Sequence, residues 1–365
     1  MTEDTGLIDH LKRRIAVEGS LSVGAFMAEA LGHPQWGYYM SGEPFGADGD
    51  FVTAPEISQM FGELIGLWCA QIWTDMGRPD PVLLVELGPG RGTLMRDALR
   101  AARVVPDFRS ALRVHLVETS PALRRRQAEA LADAGPIWHD RIDTLPNEPI
   151  LVIANEFFDA LPIRQYQKTA HGWTERKIDI DPDSGGLRFV LDPRRDPVAP
   201  TIPDAVRDAP EGGIFELCPA AQAIAHDLGA RLAAHGGAAL VVDYGHARSA
   251  AGETLQSLRQ HRFVPVLDDP GKADLTAHVD FEALADAARA GGAAVHGPVE
   301  QGAFLVGLGI RERAAMLKRN ATADQAADID ASLERLIGTD AMGTLFKVQA
   351  LTDPRFGIPA GFPVS

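Results

Sequence analysis

Short apolar runs alternate with amphipathic helical patterns through the middle of the chain. Four of these runs, at residues 82–87, 113–118, 137–140 and 150–154, are predicted strands, and residues 82–85 have the apolar character of a central strand covered on both faces. The segments between them repeat apolar residues at helical spacing. Strands that alternate with helices in this way form a parallel sheet with right-handed crossovers. The pattern therefore predicts an α/β fold with a doubly wound, mostly parallel sheet.

Three later apolar runs extend the predicted sheet to seven strands. They lie at residues 238–243, 293–299 and 344–351. Ahead of the sheet, residues 5–31 show two apolar stripes at helical spacing, which predict an N-terminal helical cap. Seven strands with a final hairpin-like return differ from the six-stranded sheet of dinucleotide-binding folds.

The stretch Glu86-Leu-Gly-Pro-Gly-Arg-Gly92 joins the first predicted strand to a helix. Gly88, Gly90 and Gly92 lack a Cβ, so the backbone can bend tightly and approach a ligand closely. A strand, a glycine turn and a helix N-terminus form a nucleotide-type site at the carboxyl edge of a sheet. The carboxylate of Glu86 would repel a phosphate and suits a cationic ligand. S-adenosylmethionine carries a sulfonium and an amine but no phosphate, and it fits this pattern better than a dinucleotide does.

Acidic residues end the next two predicted strands. Glu118 is placed to accept the ribose hydroxyls of an adenosine ligand, as the acid after the second strand does in dinucleotide folds. Asp140, one strand further out, suits the adenine amino group, and the adjoining Thr119 is included in the predicted site. The alternative is that these acids cap helices. However, Thr119, Ser120 and Pro121 could begin a helix without Glu118.

Residues 37–63 are rich in glycine and aromatic side chains, which is typical of a shaped loop. Thr53-Ala-Pro-Glu56 fits a capping box with a proline in the first turn. One interpretation is a lid whose Asp50, Thr53 and helix N-terminus face the cofactor. The alternative is a well-packed loop with a good helix cap.

The fourth predicted strand runs into Asn155-Glu-Phe-Phe-Asp-Ala-Leu-Pro162. Asn155, Glu156 and Asp159 would lie at the sheet edge, where a transferable methyl group would sit. Carboxylates can orient a guanidinium through paired hydrogen bonds and accept its proton. These three residues are predicted catalytic residues, and Asn155 is also predicted to contact the cofactor. The alternative is a polar helix start.

A polar segment at residues 255–263 and the stretch 274–281 follow the fifth strand. His278 and Asp280 could form an imidazole–carboxylate pair that moves a proton, and both are predicted catalytic residues. The alternative is that Asp280 caps the following helix while His278 packs in a loop. No tight metal-ligand spacing is present, so no metal is predicted.

Alternating residues at 173–180 and 187–191 predict a β-hairpin insertion. Helical patterns at residues 301–318 and 324–337 precede the last strand. The chain is therefore divided into four predicted segments: a helical cap and cofactor lid (1–76), the first half of the cofactor-binding sheet (77–163), a β-hairpin substrate insertion (164–215), and the second half of the sheet with C-terminal helices (216–365).

The amino-acid composition limits the kinds of partner that the protein is expected to bind. The 365 residues carry a net charge of −15, which argues against a nucleic-acid surface. Two cysteines are too few for a disulfide framework, and no run of 18 apolar residues predicts membrane insertion. The acidic N-terminus resembles neither a signal nor a transit peptide, so a cytoplasmic location is expected. The oligomeric state stays open, with a homodimer as one option.

The chain resembles class I S-adenosylmethionine-dependent methyltransferases, in the family that includes the mitochondrial complex I assembly-factor arginine methyltransferase, also called MidA. The resemblance covers most of the chain in order. It rests on these stretches: Gly49-Asp-Phe-Val-Thr-Ala-Pro-Glu-Ile-Ser-Gln-Met-Phe-Gly-Glu63, Glu86-Leu-Gly-Pro-Gly-Arg-Gly92, Asn155-Glu-Phe-Phe-Asp-Ala-Leu-Pro162, Val242-Asp-Tyr-Gly245 and Thr276-Ala-His-Val-Asp-Phe281.

This resemblance implies a class I methyltransferase-type seven-stranded sheet and S-adenosylmethionine as the cofactor. It also implies methylation of a protein arginine, with a respiratory complex I core subunit as the substrate of the mitochondrial member. Two other functions stay open at this point. One is a non-catalytic assembly factor that binds the cofactor as a scaffold, and the other is an NAD-type dehydrogenase.

Overall fold

The computed structural model describes residues 6–41, 53–192 and 202–363. The chain forms two compact units. The first comprises Met1–Phe51, Asp159–Gln222 and Arg248–Asp280, and the second comprises Val52–Phe158, Ala223–Ala247 and Phe281–Ser365. The units are defined by contacts in space, so the four segments divided along the sequence stay a prediction.

The described residues contain helices and strands throughout both units. The helices are α1 (Leu7–Glu18), α2 (Val23–Gly32), α3 (Tyr38–Ser41), α4 (Ala54–Ile57), α5 (Gln59–Asp75), α6 (Thr93–Ala102), α7 (Pro106–Ala111), α8 (Pro121–Ala130), α9 (Asp204–Arg207), α10 (Pro219–His235), α11 (Phe281–Ala290), α12 (Gln301–Gly307), α13 (Ile310–Lys318), α14 (Ala323–Ile337) and α15 (Met342–Leu345). The strands are β1 (Leu21–Ser22), β2 (Val82–Leu87), β3 (Leu112–Val117), β4 (Ile137–His139), β5 (Ile150–Asn155), β6 (Arg164–Thr169), β7 (Gly172–Ile180), β8 (Leu187–Leu191), β9 (Ile214–Leu217), β10 (Gly237–His246), β11 (Gln256–Arg259), β12 (Arg262–Val264), β13 (Asp274–Thr276), β14 (Val279–Asp280), β15 (Ala294–Glu300) and β16 (Phe346–Thr352).

The first unit contains the predicted helical cap and hairpin. Helix α1 buries Leu7, Leu11 and Ile15 as one stripe, and Ser22 caps α2 by accepting a hydrogen bond from the backbone of Ala25. Strands β7 and β8 form the expected antiparallel hairpin. They belong to a sheet in the order β1-β7-β6-β9, in which β8 pairs with β7. The predicted insertion is thus part of a larger antiparallel sheet.

The second unit contains the predicted seven-stranded sheet, in the order β15-β16-β10-β5-β2-β3-β4. Strands β10, β5, β2, β3 and β4 pair in parallel, while β16 runs antiparallel to both β10 and β15. Every residue of β2 is buried, as a central strand covered on both faces requires. This arrangement confirms the doubly wound, mostly parallel α/β fold of the class I methyltransferase type.

Helices α5 and α6 pack closely within the second unit because two glycines face α6. A Cβ at Gly66 would lie 2.5 Å from the carbonyl oxygen of Ala98, and a Cβ at Gly62 would lie 2.8 Å from the Cβ of Asp97. Trp68 and Phe61 of α5 are buried in the same core. This contact fixes α6, which begins directly after the glycine turn.

Two local predictions are wrong. The predicted helix at residues 301–318 is two helices, because Gly309 takes a φ of 88° between α12 and α13. The helix after Thr53 is interrupted at Ser58, whose φ of −159° is extended and whose side chain caps α5 instead.

Candidate active site

The glycine turn after β2 has the conformation that the sequence pattern requires. Gly88, Gly90 and Gly92 have φ angles of 60°, 52° and 81°, in the region that L side chains rarely adopt. A Cβ at Gly88 would also lie 3.0 Å from the Cδ2 atom of Phe157. The turn leads directly into α6 at Thr93, so backbone N–H groups of a helix N-terminus lie beside it.

Glu86 lies at the end of β2 and is 4% exposed. Its Oε2 atom has no hydrogen-bond partner among the described residues. Burial raises the pKa of this carboxyl from 4.5 to about 8, opposed by a backbone hydrogen bond from Met95. The carboxyl is therefore mostly neutral at pH 7 in the ligand-free protein. A cationic ligand beside Oε2 would favour its ionised form.

Asn155 ends β5, which pairs in parallel with β2 so that Glu86 lies opposite Ile153. Residues two apart on a strand share a face, so Asn155 and Glu86 lie on the same face of the sheet. Asn155 is 8% exposed, and no described group hydrogen bonds to its buried Oδ1 atom. Two buried acceptors that lack partners thus lie on one face beside the glycine turn. Such atoms are costly unless a ligand satisfies them.

Glu156 follows Asn155 with a φ of 50°, which is uncommon for a residue other than glycine. Its Oε1 atom accepts hydrogen bonds from the Nδ2 atom of Asn155 at 3.1 Å and from the backbone of Ala54, also at 3.1 Å. The second contact caps the start of α4. Glu156 therefore holds the segment after Thr53 against the end of β5.

The predicted lid is only partly described. Asp50 lies outside the described residues. The capping box at Thr53 does not form, because in the described structure its side chain makes no capping hydrogen bond. Glu56 instead accepts a hydrogen bond of 2.6 Å from Thr93, the first residue of α6. This contact ties α4 to the helix that begins after the glycine turn.

Glu118 follows β3 and is 9% exposed. Its Oε1 atom accepts from the backbone of Ser120 at 2.7 Å, and burial raises the pKa of the carboxyl despite these hydrogen bonds. Ser120 itself caps α8, accepting from Leu123 at 3.4 Å. The helix is therefore capped by Ser120 rather than by Glu118, and Thr119 between them is exposed.

Asp140 follows β4 and its side chain is 77% exposed. It forms an ion pair with Arg124, with an Nη2–Oδ1 distance of 2.7 Å. The Arg124 side chain also donates to the carbonyl of Glu118 through its Nε atom at 2.8 Å. A single guanidinium thus connects the residues predicted to bind ribose and adenine.

One buried residue at this edge carries no recognisable sequence signal. Gln127 of α8 is fully buried, yet it is polar and hydrogen bonds both to the glycine turn and to Glu118. Helix α8 places this side chain beside partners that lie on other elements. A glutamine within an ordinary helical pattern does not reveal such contacts.

Three predicted catalytic residues belong to the first unit. Asp159 is 6% exposed, and its backbone carbonyl accepts from the backbone of Ala277 at 3.0 Å. The backbone N–H of His278 donates a hydrogen bond to the Oγ1 atom of Thr254 at 2.9 Å. The carboxylate of Asp280 accepts a hydrogen bond from the hydroxyl of Ser249 at 2.6 Å. The catalytic roles of Asp159, His278 and Asp280 stay predictions.

A group of possible metal ligands lies elsewhere in the first unit. Among the described residues, His10, Glu29 and His33 place one ligand atom each within 4.8 Å of one another. Two features oppose a metal there. Arg14 already pairs with Glu29 at 2.6 Å, and the Nδ1 atom of His33 accepts from the backbone of Trp36 at 3.3 Å. That tautomer leaves the proton on Nε2, so we assign no metal to this group.

The site defines a class of protein that binds a nucleoside carrying a positive charge. The glycine turn, the carboxylate after β3 and the two unsatisfied acceptors near the turn fit S-adenosylmethionine. Comparison with known proteins agrees. Residues 64–299 match the model of a family described as putative S-adenosyl-L-methionine-dependent methyltransferases, and the chain belongs to this family. This match confirms the enzyme class, the cofactor and the family that the sequence predicts. It does not support the alternative of an NAD-type dehydrogenase.

Relatives match along nearly the whole chain. Proteins named protein arginine methyltransferase NDUFAF7, mitochondrial, are 40% identical in Xenopus laevis (95% of this chain, 84% of the relative) and 38% identical in Danio rerio (93% and 85%). A solved Burkholderia thailandensis protein bound to S-adenosyl-homocysteine is 29% identical with a TM-score of 0.84, covering 97% of this chain and 94% of that one. The substrates of the named arginine methyltransferases are proteins.

One prediction about location is wrong. The acidic N-terminus predicts a cytoplasmic protein, whereas these relatives are named as mitochondrial proteins. As for membranes, none of the helices in the described part of the chain has both the length and the apolar character needed to span one.

Proposed function

We propose that this methyltransferase modifies the guanidinium of an arginine side chain in a protein substrate. The observation that carries the proposal is about 40% identity, over nearly the full chain, to proteins named protein arginine methyltransferase. Two physical features support it. The net charge of −15 favours a basic protein partner, and two acidic side chains, Glu156 and Asp159, closely follow β5 in the sequence.

The residues near the glycine turn would hold the cofactor. Glu86 and Asn155 offer buried acceptors to its α-ammonium end, and Glu118 accepts the ribose hydroxyls. Asp140 accepts the adenine amino group after exchanging its contact with Arg124. When bound, S-adenosylmethionine supplies an electrophilic methyl group on a good leaving group. The protein therefore contributes mainly positioning.

The acceptor side needs groups that orient a guanidinium and take up a proton as it is methylated. Asp159 is the proposed carboxylate for this role because it is buried and acidic. Glu156 was predicted to share the role, but its contacts to Ala54 and Asn155 support a positioning function. His278 and Asp280 remain proposed as a pair that passes the proton on.

The proposed substrate is a core subunit of respiratory complex I, as the family resemblance implies. The test incubates the purified protein with S-adenosylmethionine labelled in the methyl group and the purified core subunit. Mass spectrometry then reads which residue gains a methyl group. A labelled arginine supports the proposal, and replacement of that arginine by lysine in the substrate should abolish the label.

The same assay separates the enzyme from a cofactor-binding scaffold. A scaffold would bind S-adenosylmethionine in calorimetry and transfer no label to any protein. Label on lysine or glutamate would instead retain the methyltransferase class and contradict arginine as the acceptor.

A further inference from the structure

Gln127 lies in the C-terminal half of α8 and is 0% exposed. A buried amide is unfavourable unless its donors and acceptor are paired. Three polar groups surround this one. Its Nε2 atom lies 2.7 Å from the carbonyl oxygen of Gly90 and 3.2 Å from the Oε2 atom of Glu118, and its Oε1 atom lies 2.9 Å from the Nε1 atom of Trp138.

The chemistry of these partners fixes which way the amide points. An indole nitrogen is only a donor, so it must face the amide oxygen of Gln127. A backbone carbonyl accepts, and so does an ionised carboxylate, so both must face the amide nitrogen. The two N–H groups of Gln127 are therefore directed at Gly90 and Glu118, with no freedom to flip.

These contacts join two parts of the nucleoside site. Gly90 is the middle glycine of the turn after β2, and Glu118 is the carboxylate after β3. The same helix faces the turn, since a Cβ at Gly92 would lie in ordinary van der Waals contact, at 3.7 Å, with both the Cα and the Cγ atoms of Gln127. The amide thus bridges a backbone carbonyl and a carboxylate that strand pairing alone would not orient.

We propose that Gln127 is a positioning residue for the cofactor, holding the Glu118 carboxylate at a fixed distance from the glycine turn. The proposal rests on the proposed role of Glu118 toward the ribose. Without the amide, Glu118 keeps its hydrogen bonds from the backbone of its own loop and the charge of Arg124, and its second carboxylate oxygen can rotate away from the ribose hydroxyls. Gly90 would also lose the donor on its carbonyl.

The test is a double-mutant cycle read by calorimetric binding of S-adenosyl-homocysteine. Gln127→Met keeps the length of the side chain and removes both donors, while Glu118→Gln removes the charge at the ribose acceptor. Each change alone should weaken binding about tenfold, because a buried polar partner is left unsatisfied. If Gln127 acts through Glu118, the double variant should weaken binding far less than the roughly hundredfold loss expected from independent effects.

Two controls keep the test specific. Glu129→Gln makes a carboxylate-to-amide change at an exposed position of the same helix and should leave affinity unchanged. A 2′-deoxy analogue of S-adenosyl-homocysteine lacks one ribose hydroxyl, so the loss caused by Gln127→Met should shrink for this ligand. A structural defect of α8 would weaken both ligands equally.

The outcomes are distinct. If Gln127→Met does not fold, Gln127→Glu replaces it, and its affinity should fall as pH rises because ionisation removes its last donor. Additive losses in the cycle, or an unchanged affinity in a folded Gln127 variant, would overturn the positioning role. A wild-type protein that does not bind S-adenosyl-homocysteine would instead contradict the cofactor site itself.

Discussion

Glu86→Gln should make the ligand-free protein more stable at neutral pH while weakening cofactor binding. The wild-type carboxyl is buried, and its pKa is raised from 4.5 to about 8. Between these values the unfolded chain ionises and the folded protein does not, so the unfolded state is progressively favoured as pH rises. Stability from this group is thus fully present below about pH 4.5 and lost as pH approaches 8.

The size of the effect follows from the same two pKa values. At about 1.36 kcal/mol per pH unit, the ionisation penalty of wild-type Glu86 is about 1 kcal/mol at pH 5 and about 4 kcal/mol at pH 8. The glutamine variant carries no charge at either pH, and any unpaired amide hydrogen costs it a constant amount. The stability difference between variant and wild type should therefore shift by about 3–4 kcal/mol in favour of the variant from pH 5 to pH 8.

Urea unfolding of both ligand-free proteins at pH 5 and pH 8 measures this shift directly. Equal stability differences at the two pH values would refute the argument that burial keeps Glu86 neutral. Binding should show the complementary trend. A cationic ligand favours the carboxylate, so the affinity advantage of wild type over Glu86→Gln should grow as pH rises from 6 toward 8. The ratio of the wild-type affinity to the variant affinity is compared at each pH, because titration of the ligand's own amine affects both proteins equally.

Three further variants test the site. Gly88→Ala places a Cβ 3.0 Å from Phe157 at a φ of 60°. Thermal unfolding should therefore show a loss of about 1–3 kcal/mol in stability, together with weaker cofactor binding, and unchanged values would contradict the strained turn. Glu118→Ala should weaken S-adenosylmethionine binding by at least about tenfold in calorimetry because the ribose would lose its proposed acceptor, whereas unchanged affinity would exclude that role. Asp159→Asn should preserve cofactor affinity and lower turnover at least about a hundredfold in a label-transfer assay, since general-base contributions are of that order, and equal turnover would move the acceptor site away from Asp159.

Most of the cofactor-binding sheet could be predicted because its strands are continuous apolar runs. Strands β2 and β5 are buried along their full length, and such runs report burial directly. The position of β16 between β10 and β15 could not be predicted in the same way. Its local pattern indicates a strand, but pairing partners are chosen by the whole sheet.

The helix starts near the site show where local patterns fail. Thr53 to Glu56 matches a capping box, yet Glu156 caps α4 from a position more than a hundred residues away in sequence. At the start of α2 the cap is local, because Ser22 and its partner Ala25 are close in the chain. Local caps are therefore readable from sequence, whereas caps supplied by a distant strand end require the fold.

The chemistry of the site could likewise be predicted only in part from the sequence. An acid before the glycine turn is visible in sequence, but the neutral state of Glu86 depends on burial that only the packed sheet provides. Gln127 is invisible for a related reason, because its three partners come from different elements. Residue type identifies candidates, and burial and partners decide their protonation and role.

The most direct test of the proposed arginine methylation is methyl transfer from labelled S-adenosylmethionine to a purified complex I core subunit, read by mass spectrometry. Wild-type protein should add a methyl group to an arginine, and the Glu118→Ala protein, assayed at the same cofactor concentration, should add far less. A wild-type protein that binds the cofactor and leaves every arginine of the subunit unmodified would contradict the proposed function.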